Sequence, residues 1–170
     1  MSITIRKATE ADAALILAFV RKLAAFEELE HHLIATSRQI REALSEPDPR
    51  LHALIASMEG VAIGFATYYP LYSTFAGKTK YYMEDLYVEP DFRGRGIARK
   101  LVAALAEEAQ KSGCAGLEWK VLDWNEEAIS FYRGIGAKPI KTWLSYGMDE
   151  KAMERLTSDQ ASDQPATTKN

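Results

Sequence analysis

Between Tyr81 and Gly113 the chain changes its hydrophobic period. The stretch "YYMEDLYV" alternates as a strand does, whereas Ile97, Leu101, Ala104 and Leu105 recur at helical spacing up to a stop at Gly113. Only the eight residues "EPDFRGRG" separate the two. A strand that runs through so short a loop into a helix calls for a sheet with helices packed on it. The flanking patterns agree. "LHALIAS" and "VAIGFATYY" around Met58-Glu59-Gly60 read as a β-hairpin, "LEWKVL" as a later strand and "DWNEEAISFYRGIGA" as a capped helix ending near Gly134 or Gly136. Hairpin, strand, helix, strand, helix describes an α/β fold with a mixed sheet, and excludes a bundle or a sandwich.

The remaining segments fit around this unit. "ITIRKA" is a first strand, and Thr9 with Asp12 is an N-cap ahead of Leu15, Ile16, Phe19, Leu23 and Phe26. A short helix starts near Thr36 and is broken at "EPDPR". "PLYSTFAGKTK" has loop chemistry, "TWLSYGM" suits a closing strand and "DEKAMERL" a last helix. Residues 157–170, polar and poor in hydrophobic groups, read as a disordered tail after a single domain over residues 1–156.

Composition narrows the function. With 21 basic and 24 acidic residues the net charge is −3, which argues against a general nucleic-acid or anionic-membrane binder. No apolar run reaches the ~20 residues of a membrane span, and the charged N-terminus does not resemble a signal peptide. The one cysteine, Cys114, suits a reducing cytoplasm and reads as a packed small residue. His31-His32 lack a second ligand pair, so no metal site is expected.

The loop itself carries the chemistry. A helix N-terminus has amides without internal partners and the positive end of the helix dipole. Gly94 and Gly96 remove side chains that would block approach, while Arg93, Arg95 and Arg99 add charge. Both a phosphate cradle and a tight turn with solvated arginines fit this spacing. A nucleotide P-loop and a dinucleotide fingerprint do not, because "GRGIARK" lacks the Gly-x-x-x-x-Gly-Lys-Ser/Thr spacing of the first and the third glycine of the second.

"RGRGIA" at Arg93 to Ala98 fits the Arg/Gln-x-x-Gly-x-Gly/Ala signature of the GCN5-related N-acetyltransferase (GNAT) family. "WNEEAISFYRGIGAK" independently resembles that family's Asn-led helix, in the right order and at the right separation. Within the family, "LAAFEELE", "YSTFAGKTKYYMEDLYV" and "VLDWN" resemble the diamine and thialysine acetyltransferases, over approximately residues 3–150.

The resemblance implies a GNAT acyl-CoA N-acyltransferase fold in which two central strands splay apart around acetyl-CoA. Backbone groups of Leu86, Tyr87 and Val88 would pair with its pantetheine arm. Arg93, Gly94, Arg95, Gly96, Ile97, Ala98 and Arg99 would hold its pyrophosphate, and Asn125 would touch it from the other side. Glu84 would act as general base, Tyr132 would reprotonate the departing thiolate, and an amide near Tyr87 or Val88 would steady the oxyanion. By spacing alone Tyr132 is a core aromatic and Glu84 a solvent-facing or arginine-paired carboxylate. Asp85, next along the strand, is expected on the opposite face from Glu84.

Phe26, Glu27, Glu84, Phe75 and Trp143 would line the amine site by the same resemblance. Ser73 replaces the aspartate of the diamine enzymes and Phe75 their tryptophan. The segment "AKPIKTWL" is shorter than its counterpart and brings Lys141 where acidic residues are usual. A cation there disfavours a long polyamine and favours a substrate with a carboxylate, such as thialysine, lysine or another diamino acid. Polyamine or protein acetylation, and a non-catalytic acetyl-CoA sensor, are the alternatives. The subgroup also implies a homodimer.

Overall fold

The computed structural model describes residues 2–45, 47–142 and 144–162. Its elements are β1 (Ile3–Lys7), α1 (Ala13–Phe26), α2 (Ser37–Leu44), β2 (His52–Met58), β3 (Val61–Ser73), β4 (Lys78–Val88), α3 (Ile97–Lys111), β5 (Leu117–Trp119), α4 (Glu126–Gly134) and α5 (Glu150–Ser162). The strands form one sheet in chain order, antiparallel from β1 to β4 and parallel between β4 and β5. This is the mixed α/β sheet the sequence implies. The chain divides into two compact units, residues 1–129 and 130–170, the first holding the whole sheet.

Local chemistry sets the element ends. Before α2, the Gln39 amide donates to Thr36 Oγ1 at 3.3 Å and the Thr36 amide to Gln39 Oε1 at 2.9 Å, a reciprocal cap. The β2–β3 turn takes positive φ at Glu59 and Gly60, as a tight hairpin requires.

The first unit's core lies between helix and sheet. Ala13, Ile16, Leu17 and Phe19 of α1 join Ile40 and Leu44 of α2 against Ala53, Phe65 and Tyr87. Phe19 stacks on Phe65 with ring centres 5.3 Å apart, so α1 covers the face to which Phe65 points. Ile97, Leu101, Val102, Leu105 and Ala109 bury one stripe of α3. Its Glu108 bears electrostatically on Tyr68, which alternation puts on the other face of β3.

Three sequence expectations change. β3 continues through Pro70, Leu71 and Tyr72 to Ser73, where loop chemistry suggests a turn. β2 stops pairing with β3 at His52–Tyr68, so Pro70 sits on an open edge where its missing N–H costs nothing. Among the described residues, 142 and 144–148 form no strand, although they alternate; Leu144, Tyr146 and Met148 are exposed. Finally, α5 continues past Leu156 to Ser162, into the segment expected to be tail; residues 163–170 lie outside the described residues.

At Gly64, β3 lies too close to β4 to admit a side chain. A Cβ there would stand 2.6 Å from the Tyr87 carbonyl oxygen and 3.3 Å from Val88 Cα.

Candidate active site

The β3–β4 register slips at one point. Asp85 pairs with Thr67 but Met83 pairs with Tyr68, leaving Glu84 as an extra residue in β4. Such a bulge resets the alternation of side chains. Tyr82 stacks on Tyr69 at 5.2 Å, and the Glu84 charge bears on the Tyr69 phenol. Thr67 Oγ1 donates to Asp85 Oδ2 at 2.5 Å and accepts the Asp85 amide at 3.1 Å. Thr67 and Tyr69 share the α1 face with Phe65. Glu84 and Asp85 therefore point to the same face, which corrects the expectation of opposite faces.

Glu27, the C-cap of α1, completes an acidic cluster. Burial pushes the Asp85 carboxyl above the ordinary carboxylate range; the Thr67 hydrogen bond opposes this and the Glu84 charge adds to it. Glu27 is likewise raised, first by burial and then by Asp85. Burial, then the Glu84 charge, raises the phenols of Tyr69 and Tyr82, keeping both as donors. These are groups that a cation would relieve. Asp85 was missed by sequence reasoning because the slip that turns it inward leaves no mark in composition or spacing.

The same strand offers an open edge. β5 accompanies β4 only from Tyr81 to Met83, and beyond that point the two strands part. The Glu89 amide donates to the Ile63 carbonyl at 2.9 Å, so odd-numbered positions from Asp85 bond toward β3. Leu86 and Val88 consequently turn their amides to the open side, whereas Tyr87 turns toward β3. The Val88 carbonyl accepts Arg93 Nε at 3.1 Å.

At the end of the strand, Gly94 and Gly96 hold φ of 73° and 74°, and a Cβ on either would meet nothing within 4 Å. Gly96 is the N-cap of α3 and gives its first amides no side-chain acceptor, while Ile97 anchors the helix in the core. Ala98 is half-buried and Arg99 exposed. Arg95 is folded back on its own loop, with Nη2 donating to the Asp91 carbonyl at 3.2 Å and the guanidinium over Phe92. Open space at two left-handed glycines and a β4 edge with outward amides fit the pyrophosphate and pantetheine of acetyl-CoA.

Other expected residues are placed less centrally. Asn125 caps α4, its Oδ1 accepting the Ala128 amide at 3.1 Å. Phe26 is 40% exposed and packs at 6.1 Å on Trp124. Phe75 is 95% exposed at the β3–β4 hairpin tip, where Ser73 Oγ accepts the Ala76 amide. Along the strand that tip lies about 20 Å from Glu84 at the usual rise per residue. In the second unit, the Tyr132 ring centre is 5.2 Å from that of Phe131. Trp143 lies outside the described residues. Cys114 is half-buried, and burial raises its thiol. His31 and His32 are exposed in a short turn. Among the described residues no group of three or more His, Cys, Asp or Glu side chains is arranged so that it could hold a metal ion, and no helix is long and apolar enough to cross a membrane.

Comparisons place this geometry among known proteins. A family model described as "Acetyltransferase (GNAT) family" matches residues 17–137. Thialysine N-epsilon-acetyltransferase of Mus musculus is 35% identical over 166 residues, covering 91% of this chain and 97% of that protein. L-ornithine N5-acetyltransferase of Arabidopsis thaliana is 34% identical over 96 residues, 56% of this chain and 42% of that protein. A crystal structure of ribosomal-protein-alanine N-acetyltransferase from Brucella melitensis superposes with a TM-score of 0.70 at 24% identity. It covers 87% of this chain and 99% of that one, a likeness of fold.

Proposed function

The chain belongs to the acetyltransferase (GNAT) family and is an acetyl-CoA-dependent N-acetyltransferase, and we propose that its acceptor is the side-chain amine of a small amino acid of the thialysine, lysine or diamino-acid type. The observation that carries this is the bulge in β4, which turns Glu84 and Asp85 to one face with Glu27. Three carboxylates suit an ammonium group. Lys141, in the shortened segment before Trp143, would favour a substrate that also bears a carboxylate. The names of the thialysine and ornithine relatives point the same way.

A lysine-like ammonium has a pKa of about 10.4 and must lose a proton before it can attack. Glu84, exposed at the rim of the cluster, takes that proton directly or through a water. Asp85 and Glu27 hold and orient the cation, whose charge offsets their burial. Acetyl-CoA supplies an activated thioester carbonyl for direct attack in a ternary complex. The outward amides of Leu86 and Val88 receive the carbonyl oxygen, and amides of Gly94 to Arg99 receive the pyrophosphate. Tyr132 returns a proton to the departing thiolate, a role resting on the "WNEEAISFY" segment. Residues 1–156 act as one domain, in the cytoplasm and as a homodimer.

Acetyl-CoA turnover against thialysine, lysine, ornithine, diamines, spermidine and a lysine peptide tests this, with thiol release as readout. Amino acids should lead, and Glu84→Gln and Tyr132→Phe should each lower kcat by about ten- to a hundredfold or more. Spermidine far ahead of every amino acid would overturn the acceptor, and a preference for the peptide would favour protein acetylation. Acetyl-CoA binding without thiol release for any amine would indicate a sensor. Mass measurement in solution tests the homodimer.

A further inference from the structure

Arg93 opens the glycine-rich signature, and its charge suggests a partner for phosphate. Its side chain is engaged elsewhere. Nε donates to the Val88 carbonyl at 3.1 Å, and the guanidinium carbon stands 5.0 Å from the Phe26 ring centre and 5.9 Å from that of Tyr87. Four residues earlier, Glu89 pairs with Lys22 and accepts the Tyr87 hydroxyl at 3.2 Å. Lys22 lies one helical turn before Phe26 on α1. The loop is thus fastened to α1 by two rungs, Lys22–Glu89 and Phe26–Arg93.

We infer that Arg93 is a positioning residue and not a ligand of the pyrophosphate: it clamps the end of β4 to the last turn of α1. The inference rests on the acetyl-CoA reading above. With its carbonyl tied to Arg93, Val88 holds its amide toward the open edge where the pantetheine arm lies. Phe26 and the adjoining Glu27 are held at a fixed distance from that edge. A planar guanidinium stacks on aromatic rings while donating sideways through Nε, which an ammonium cannot do.

Arg93→Gln, Arg93→Lys and Phe26→Leu distinguish a clamp from a phosphate ligand. Each is compared with wild type for ligand-free Tm and, by calorimetry, for binding of CoA and of pantetheine, which lacks the pyrophosphate. A clamp predicts that all three lower the ligand-free Tm by about 2–4 °C. The two Arg93 variants should also weaken CoA and pantetheine by the same factor, about tenfold, with no rescue by lysine. The inference is overturned if Arg93→Gln weakens CoA alone, leaves Tm unchanged and is rescued by lysine. If wild type binds neither molecule, the acetyl-CoA reading fails, while the ligand-free Tm values still decide whether the clamp exists.

Discussion

Two glycines in the first unit are needed for different reasons, and alanine at each should separate stability from cofactor binding. At Gly64 the new methyl group would lie 2.6 Å from the Tyr87 carbonyl oxygen and 3.3 Å from Val88 Cα. Backbone cannot rotate away, so β3 must retreat from β4. Overpacking of this kind costs about 1–3 kcal/mol. Reduced freedom of the unfolded chain returns about 0.4–1 kcal/mol. The net loss of about 0.6–2 kcal/mol, at about 2–4 °C per kcal/mol for a chain of this size, means Gly64→Ala should lower Tm by roughly 1–8 °C.

Gly96 differs in both respects. Its φ of 74° strains an alanine, but the methyl group meets open space. The left-handed conformation costs about 1–2 kcal/mol, partly offset as before, so the Tm loss should be only about 2–4 °C. That open space is where the pyrophosphate is proposed to rest, so KM for acetyl-CoA should rise about tenfold or more, equivalent to about 1.4 kcal/mol of lost binding. Differential scanning calorimetry and steady-state kinetics read the two quantities separately. A Gly64→Ala protein with wild-type Tm would refute the close approach of the strands. A Gly96→Ala protein with lowered Tm but unchanged KM would reduce the loop glycine to a turn former and remove the cradle.

The acidic cluster should show in the pH dependence of stability. Because Asp85 is raised by burial, the folded state holds its proton to higher pH than the unfolded chain does. Its contribution is therefore full below the unfolded carboxylate pKa and lost as pH rises through the folded value. Asp85→Asn should accordingly raise Tm relative to wild type at pH 7, with the difference shrinking toward pH 4, while impairing turnover of a cationic acceptor; a constant Tm difference would contradict it. Asp12 behaves oppositely, since the hydrogen bond from Arg6 lowers its pKa to about 2. Arg6→Gln should cost at most about 1 kcal/mol near pH 7, Arg6 being half exposed and screened, and the cost should vanish as pH falls from 4 toward 2. Thr36→Ala should remove about 1 kcal/mol of stability by denaturant titration and leave KM for acetyl-CoA unchanged.

Much of the scaffold was legible because it depends on local chemistry. The Thr36 cap, the Glu59-Gly60 turn, the strand "YYMEDLYV" and the helix from Ile97 to a stop near Gly113 are written in short patterns. What escaped depends on neighbours. Pro70 reads as loop until β2 is seen to end opposite Tyr68. "TWLSYGM" alternates as a strand, but alternation supplies no hydrogen-bonding neighbour, and no strand forms among its described residues. At the site, the glycines and the open strand edge could be anticipated from the motif. The destination of the Arg93 side chain could not, since Phe26 and Val88 are distant from each other in sequence.

One extra residue in β4 lets a single strand present groups in the two directions that the proposed function requires. Unbroken alternation would put Glu84 and Asp85 on opposite faces, so only one could share a face with Glu27. The slip at Glu84 turns both toward α1 without altering the pairing from Asp85 to Val88. That pairing keeps the Leu86 and Val88 amides aimed at the edge from which β5 has departed. On the proposed function, charge for an amine would be presented through side chains on one face, and donors for a thioester through backbone on the perpendicular edge. The bulge is the step at which a strand of ordinary length acquires both directions, and it can be assigned only once Thr67 and Tyr68 are known to face Asp85 and Met83.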